Sequence, residues 1–193
     1  MPTYIFKIQI VGVDPPINRV VKVSSENSFY LFHHIIQILF GWKNYHLYQF
    51  VFNNYRIADS RLVDENLGKY NDCKAIMLED LFTKIGDKAI YEYDFGDRWI
   101  HLIELVYIES GPVCELLPII ISGSNSCPPE DCGGISGYKE LKMILMDPKH
   151  EEFESYWEWV GINFNPTKFS LKTTESEIRK LNKIINGYEK GFE

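Results

Sequence analysis

Two segments rich in Ile and Val, residues 4–13 and 17–23, flank the break Asp14-Pro15-Pro16. That pattern predicts a β-hairpin at the start of the fold. Ser24 to Ser28 offers several helix N-caps, and Phe29 to Phe40 is apolar on most sides of a helical wheel, interrupted by His33, His34 and Gln37. It reads as a helix buried between two layers and ending at Gly41, a residue suited to a left-handed cap. His46 to Phe52 alternates loosely as a strand, Asn53-Asn54 turns the chain, and Tyr55 to Ala58 is extended again. Residues 60–87 carry no readable period. Ala89 to Tyr93 and Trp99 to Ile108 are the clearest strands, joined by the tight turn Asp94-Phe95-Gly96-Asp97-Arg98, and Pro118 to Ile121 offers one more.

From residue 122 the pattern changes. Ser122 to Gly137 is a loop dense in Gly, Ser, Pro and Cys, after which Tyr138 to Met146 is helical. Asp147-Pro148 has the form of a cap and first turn for a second helix running to about Val160, with Phe153, Tyr156, Trp157 and Val160 inward. Asn163 to Ser170 is a loop, and Thr174 with Glu177 has capping-box spacing for a last helix carrying Ile178, Leu181, Ile185 and Tyr188. Strands first and helices last predict an α+β fold. The expected architecture is a mixed or antiparallel sheet of about five to seven strands, one N-terminal helix and about three C-terminal helices, in one domain over 1–193.

Composition narrows the class. The 193 residues are 45% hydrophobic, with 12 Tyr, 12 Phe and 4 Trp, enough for a packed core. Twenty basic against 27 acidic side chains give a net charge of −7, and Lys and Arg at 7, 19, 22, 43, 56 and 61 are scattered, so broad nucleic-acid binding is disfavoured. No apolar run reaches the roughly 20 residues of a membrane span. Residues 1–7 lack the form of a secretory signal, which points to the cytoplasm. The four cysteines, Cys73, Cys114, Cys127 and Cys132, are then expected as reduced thiols.

Two segments concentrate polar chemistry. In the 91–101 hairpin, pairing Asp94 with Trp99 would set Glu92 opposite His101 and put Glu92, Asp94, Trp99 and His101 on one face, where a carboxylate beside an imidazole suits acid/base work. The plainer reading has Asp94 and Asp97 stabilise the turn while His101 is a satisfied sheet residue. Cys127-Pro128-Pro129-Glu130-Asp131-Cys132-Gly133-Gly134 is a rigid acidic loop, with Glu130 and Asp131 as candidate base or divalent-metal ligands. Zinc ligation by Cys127 and Cys132 with His101, His150 or Cys114 is disfavoured by the wide cysteine gap and the lack of a second pair. A phosphate cradle lacks the Gly-Lys-Ser/Thr ending, and a thiol nucleophile needs a depressed pKa. Asp147, Glu151 and Glu152 suit a helix start, and His33 and His34 suit a core.

Four segments carry a family resemblance: His33 to Trp42 with His46-Leu47-Tyr48-Gln49-Phe50; Tyr93 to His101; Cys127 to Gly134 with Gly137-Tyr138; and Asp147-Pro148 with His150-Glu151-Glu152 through Trp159 and Gly161 to Phe164-Asn165-Pro166 and Phe169. They resemble the plasmid pRiA4b ORF-3-like family, which usually has Asp where Asn165 stands. The resemblance implies a compact α/β-roll-like domain and no established activity. Some members are labelled resolvases of mobile elements and others carry a DNA-binding domain. Such a label receives little support from an acidic chain without a C-terminal helix-turn-helix, whose Ser24-Ser25 pair reads as a helix cap rather than a recombinase nucleophile.

No catalytic motif is complete. The leading expectation is therefore a non-enzymatic interaction module, which the resemblance links to mobile elements, with an unidentified protein or small-molecule partner and no cofactor. The alternative is a hydrolase-type or metal-assisted enzyme, zinc or another divalent ion included, whose carboxylate/His cleft joins the 92–101 hairpin to the 127–134 loop.

Overall fold

A computed structural model describes residues 2–63, 69–111, 118–161 and 163–192. Its strands are β1 Thr3–Ile10, β2 Asn18–Ser24, β3 Tyr48–Phe52, β4 Tyr55–Ala58, β5 Asn71–Asp72, β6 Lys88–Tyr93, β7 Trp99–Glu109 and β8 Ile119–Ser124. They form one eight-stranded sheet in the order β5-β4-β3-β6-β7-β1-β2-β8. Every pair is antiparallel except β4 with β5. The fold class is α+β as expected. The strand count exceeds the expected five to seven because the two-residue β5 falls in the stretch without a readable period.

The helices are α1 Phe29–Phe40, α2 Leu78–Leu81, α3 Gly134–Met146, α4 Phe153–Val160, α5 Leu171–Ile178 and α6 Leu181–Glu189. Four C-terminal helices thus replace the expected three, and α2 is added. Asp147-Pro148 starts no helix: residues 147–152 turn through His150 N–H to Asp147 O and Phe153 N–H to His150 O, and α4 begins at Phe153. Nor do Thr174 and Glu177 cap the last helix. Both lie within α5, whose N-cap is Ser170, its hydroxyl accepting from Thr173 N–H.

One face of the sheet is dry. Phe6, Ile8 and Ile10 of β1, Phe50 of β3, Tyr91 and Tyr93 of β6, and Trp99, Ile103 and Leu105 of β7 are buried beneath α1 at the strands' period of two. Phe6 packs on Phe32 at 5.0 Å and Phe29 edge-on to Phe50 at 5.0 Å, so α1 adheres through ring contacts that reinforce the hydrophobic gain. The helix starts at Ser28, whose hydroxyl accepts from Leu31 N–H, and ends at left-handed Gly41. Its other side meets α5 and α6, which explains the apolar positions all around it.

A polar clasp holds α6. The Glu189 carboxylate accepts from Arg61 at 2.9 and 3.0 Å, from Lys74 at 3.1 Å and from the Tyr30 hydroxyl. Those bonds, Arg61 foremost, hold its carboxyl down to about 2. With the side chain 33% exposed, solvent screens most of this attraction. Replacing Glu189 with Gln is expected to speed amide exchange in α6 while changing global stability by less than about 1 kcal/mol. Unchanged exchange would mean that Leu181 and Ile185 dock the helix alone.

Candidate functional site

Three segments distant in sequence meet at one end of the sheet. The first is the 42–47 loop between α1 and β3. Trp42 stacks on Tyr93 with ring centroids 4.7 Å apart and donates its indole N–H to Pro128 O. The second is the turn between β6 and β7, where Asp94 leaves the ladder with φ 59° and its Oδ1 accepts from Gly96 and Asp97 N–H. Short polar side chains tolerate this left-handed conformation best. The third is the 127–134 loop, fastened to the other two. Glu130 Oε1 accepts from Lys43 N–H at 2.7 Å and from the Tyr93 hydroxyl at 3.0 Å, and Gly133 N–H donates to Asp97 Oδ2 at 3.1 Å.

At their junction stands His46. Its Nε2 lies 3.1 Å from Asp131 Oδ1, 3.7 Å from Asp94 Oδ2 and 3.9 Å from Glu130 Oε2. That nitrogen is sealed from solvent and makes no hydrogen bond. One ligand atom each from His46, Asp94 and Asp131 can be chosen so that all three lie within 4.8 Å of one another, the only such group of three among the described residues. Asn44, Asp94, Arg98 and Asp131 all hold positive φ around it. Strained backbone of this kind persists where the surrounding structure over-determines it.

The positions expected to be functional divide. Asp94, Asp97, Glu130 and Asp131 come together, with Asp97 occupied in tying the turn to Gly133. Glu92 and His101 do not join them. The ladder pairs Tyr93 with Trp99, Glu92 with Ile100 and Tyr91 with His101, one residue from the expected register. A slip of one moves a side chain to the opposite face. Glu92 therefore faces outward, accepting from Gln49 at 2.7 Å near Arg98. His101 is buried among Phe40, Trp42 and Tyr91, where burial pushes its imidazole down to about 4, so it stays neutral near pH 7 with its Nδ1 held on the carbonyls of Tyr91 and Trp99.

His46 was missed as a site residue because it reads as the first position of a strand, whereas β3 begins at Tyr48. The available signal was a histidine two residues after Asn44 in a polar approach to that strand.

The sulfur chemistry loses ground. Cys73, Cys127 and Cys132 are free thiols, and Cys114 lies outside the described residues. Burial pushes Cys127 well up and Cys132 to about 12, the reverse of what a nucleophile needs. Neither thiol, nor His101, nor His150, whose Nδ1 accepts from Glu152 N–H, belongs to the group of potential ligands. His33, stacked on Tyr48 at 3.5 Å, and His34 are core residues as expected. Among the described residues no helix is long and apolar enough to cross a membrane.

Comparison with known proteins agrees with this architecture. The family profile described as plasmid pRiA4b ORF-3-like protein matches residues 2–173. An uncharacterised protein, y4hQ, of Sinorhizobium fredii strain NBRC 101917 / NGR234 is 34% identical over 182 residues, covering 93% of this chain and 89% of the relative. The crystal structure of MM3350, a protein of unknown function from Methanosarcina mazei Go1, superposes with a TM-score of 0.80 at 32% identity, over 89% of this chain and 96% of that one.

Proposed function

The chain belongs to the plasmid pRiA4b ORF-3-like family, whose matched relatives are uncharacterised, and from the site's geometry we propose a divalent-cation-dependent enzyme of hydrolase type. The observation that carries this reading is His46 Nε2, sealed from solvent and without a well-directed hydrogen bond, 3.1 Å from Asp131 Oδ1 and 3.7 Å from Asp94 Oδ2. A buried polar atom without a partner is unfavourable unless something absent from the protein chain satisfies it. One imidazole with two carboxylates is a mixed nitrogen and oxygen donor set suited to Zn²⁺ or Mn²⁺.

Three protein ligands leave coordination positions for water and substrate, unlike a closed structural site. A cation there would supply an activated water, and Glu130, held beside the cluster by Lys43 and Tyr93, would take up its proton. The reading departs from the expected cofactor-free module and from the expected role of His101.

Titration of chelator-stripped protein with Zn²⁺ and Mn²⁺ is expected to give about one ion per chain, with affinity lowered on the order of a hundredfold in His46→Gln and in Asp131→Asn. His101→Phe is expected to bind normally. Absence of uptake, or uptake insensitive to both cluster variants, would dismiss the cation. Chromogenic ester and phosphodiester hydrolysis, dependent on the ion and lost in Glu130→Gln, tests the enzymatic half.

A further inference from the structure

Beside the cluster lies a cavity of about 480 Å³, and Glu130 belongs to the walls of both. Phe40 and Phe169 line it and lie against the Arg19 guanidinium, at 5.1 and 4.2 Å from the ring centroids. Trp159 and Phe164 add two more rings. Arg19 is 2% exposed and donates to the carbonyls of Asn18, Leu39, Ser124 and Asn125. Burial lowers its pKa to about 10, which leaves it charged at neutral pH, so it lends the cavity a positive field more than a hydrogen bond.

Lys43 and Lys168 both line it, and among the described residues neither ammonium is in an ion pair. The carboxylates of the lining are engaged elsewhere: Glu130 by Lys43 N–H and Tyr93, Glu177 by Lys180 at 2.6 Å. An acidic chain thus gathers cations that face no carboxylate partner, Lys43 lying over the Tyr45 ring at 5.8 Å, and aromatic rings around one hollow. Such a combination recognises a planar apolar body bearing negative charge.

Building on the cation reading, we propose that this cavity is the substrate pocket and that it takes a ring-bearing organic anion, a phosphate ester or a carboxylate. The ring would lie among Trp159, Phe164 and Phe169, with the acidic group drawn to Lys43 and Lys168 on the side of Glu130.

Calorimetric titration of the metal-free full chain with phenyl phosphate and, separately, with benzoate tests it, the tighter probe identifying the acidic group. The expected result is one site, weakened roughly tenfold by Lys168→Glu and by Trp159→Ala. Both positions are exposed, so the fold should survive, as unchanged thermal unfolding would verify. Met146→Glu, in the neighbouring groove between α3 and residues 164–167, which shares Phe164 with the cavity while Met146 lines the groove alone, should leave binding unaltered. The proposal is overturned if neither probe binds at about 10 mM, if both cavity variants bind like wild type, or if Met146→Glu abolishes binding. Failed cation uptake with intact probe binding would remove the cation reading alone, and the reverse would remove the pocket alone.

Discussion

Lowering the pH from 7 to 5 is expected to reduce the unfolding free energy by roughly 4 kcal/mol, a large part of what a domain of this size possesses. The cause is three histidines buried in the neutral form. Burial pushes His34 and His101 down to about 4 and His33 well below its ordinary value, with the neighbouring His34 charge contributing to the last. In the unfolded chain all three titrate near 6.5. Between about 6.5 and 4 the unfolded state therefore binds more protons than the folded one, so stability rises with pH there and is lost as pH falls through that window.

The linkage relation gives about 2 kcal/mol for each of His34 and His101 at pH 5, and His33 acts in the same direction. Asp59 and Glu189 have carboxyls lowered in the folded state, so their contribution is present above the unfolded carboxylate range and is lost mainly below pH 5. Urea unfolding at a series of pH values checks this. His101→Phe should flatten the slope whatever it does to the baseline. A flat profile from pH 7 to 5 would show that these rings are protonated, or hydrated, in the folded protein.

Gly137→Ala is expected to destabilise the protein on the order of 3 kcal/mol and to abolish cation uptake at His46. A Cβ built at Gly137 would meet Cys132 O at 1.8 Å and its carbonyl carbon at 2.8 Å, both backbone atoms that cannot rotate away. Gly137 N–H also donates to Gly133 O, so the clash falls on the segment that closes the acidic loop. Displacing Cys132 displaces Asp131, its neighbour. Gly187→Ala is the control: nothing lies within 4 Å of its Cβ, and within α6 alanine is the better helix former. Denaturation midpoints and ion titration on both variants measure the effects. A Gly137→Ala protein with wild-type midpoint and affinity would refute this account of the loop.

The limits of α1 were legible because each is a local event: Ser28 caps, Gly41 turns left-handed, and the apolar positions between them surround the helix. The strand alternation of residues 99–105 was equally plain, since period two is a property of neighbours along the chain. Less plain was the start of α4. Asp147-Pro148 carries a helix-start signal, yet His150 and Phe153 bond back three residues into successive turns.

The register of β6 against β7 was not legible, since it depends on Asp94 and Arg98 both adopting positive φ across the turn. That single step separates Glu92 from His101.

Local bonding and side-chain spacing therefore settled α1, the longer strands and which two loops are rich in carboxylates, but not β5, α2 or the division of the C-terminal helices. The meeting of His46 with Asp94 and Asp131 depended on the sheet order that places β3 beside β6, and on Trp42 and Lys43 holding the 127–134 loop against them. Those contacts are long-range packing and hydrogen bonding, and no periodicity within a segment encodes them.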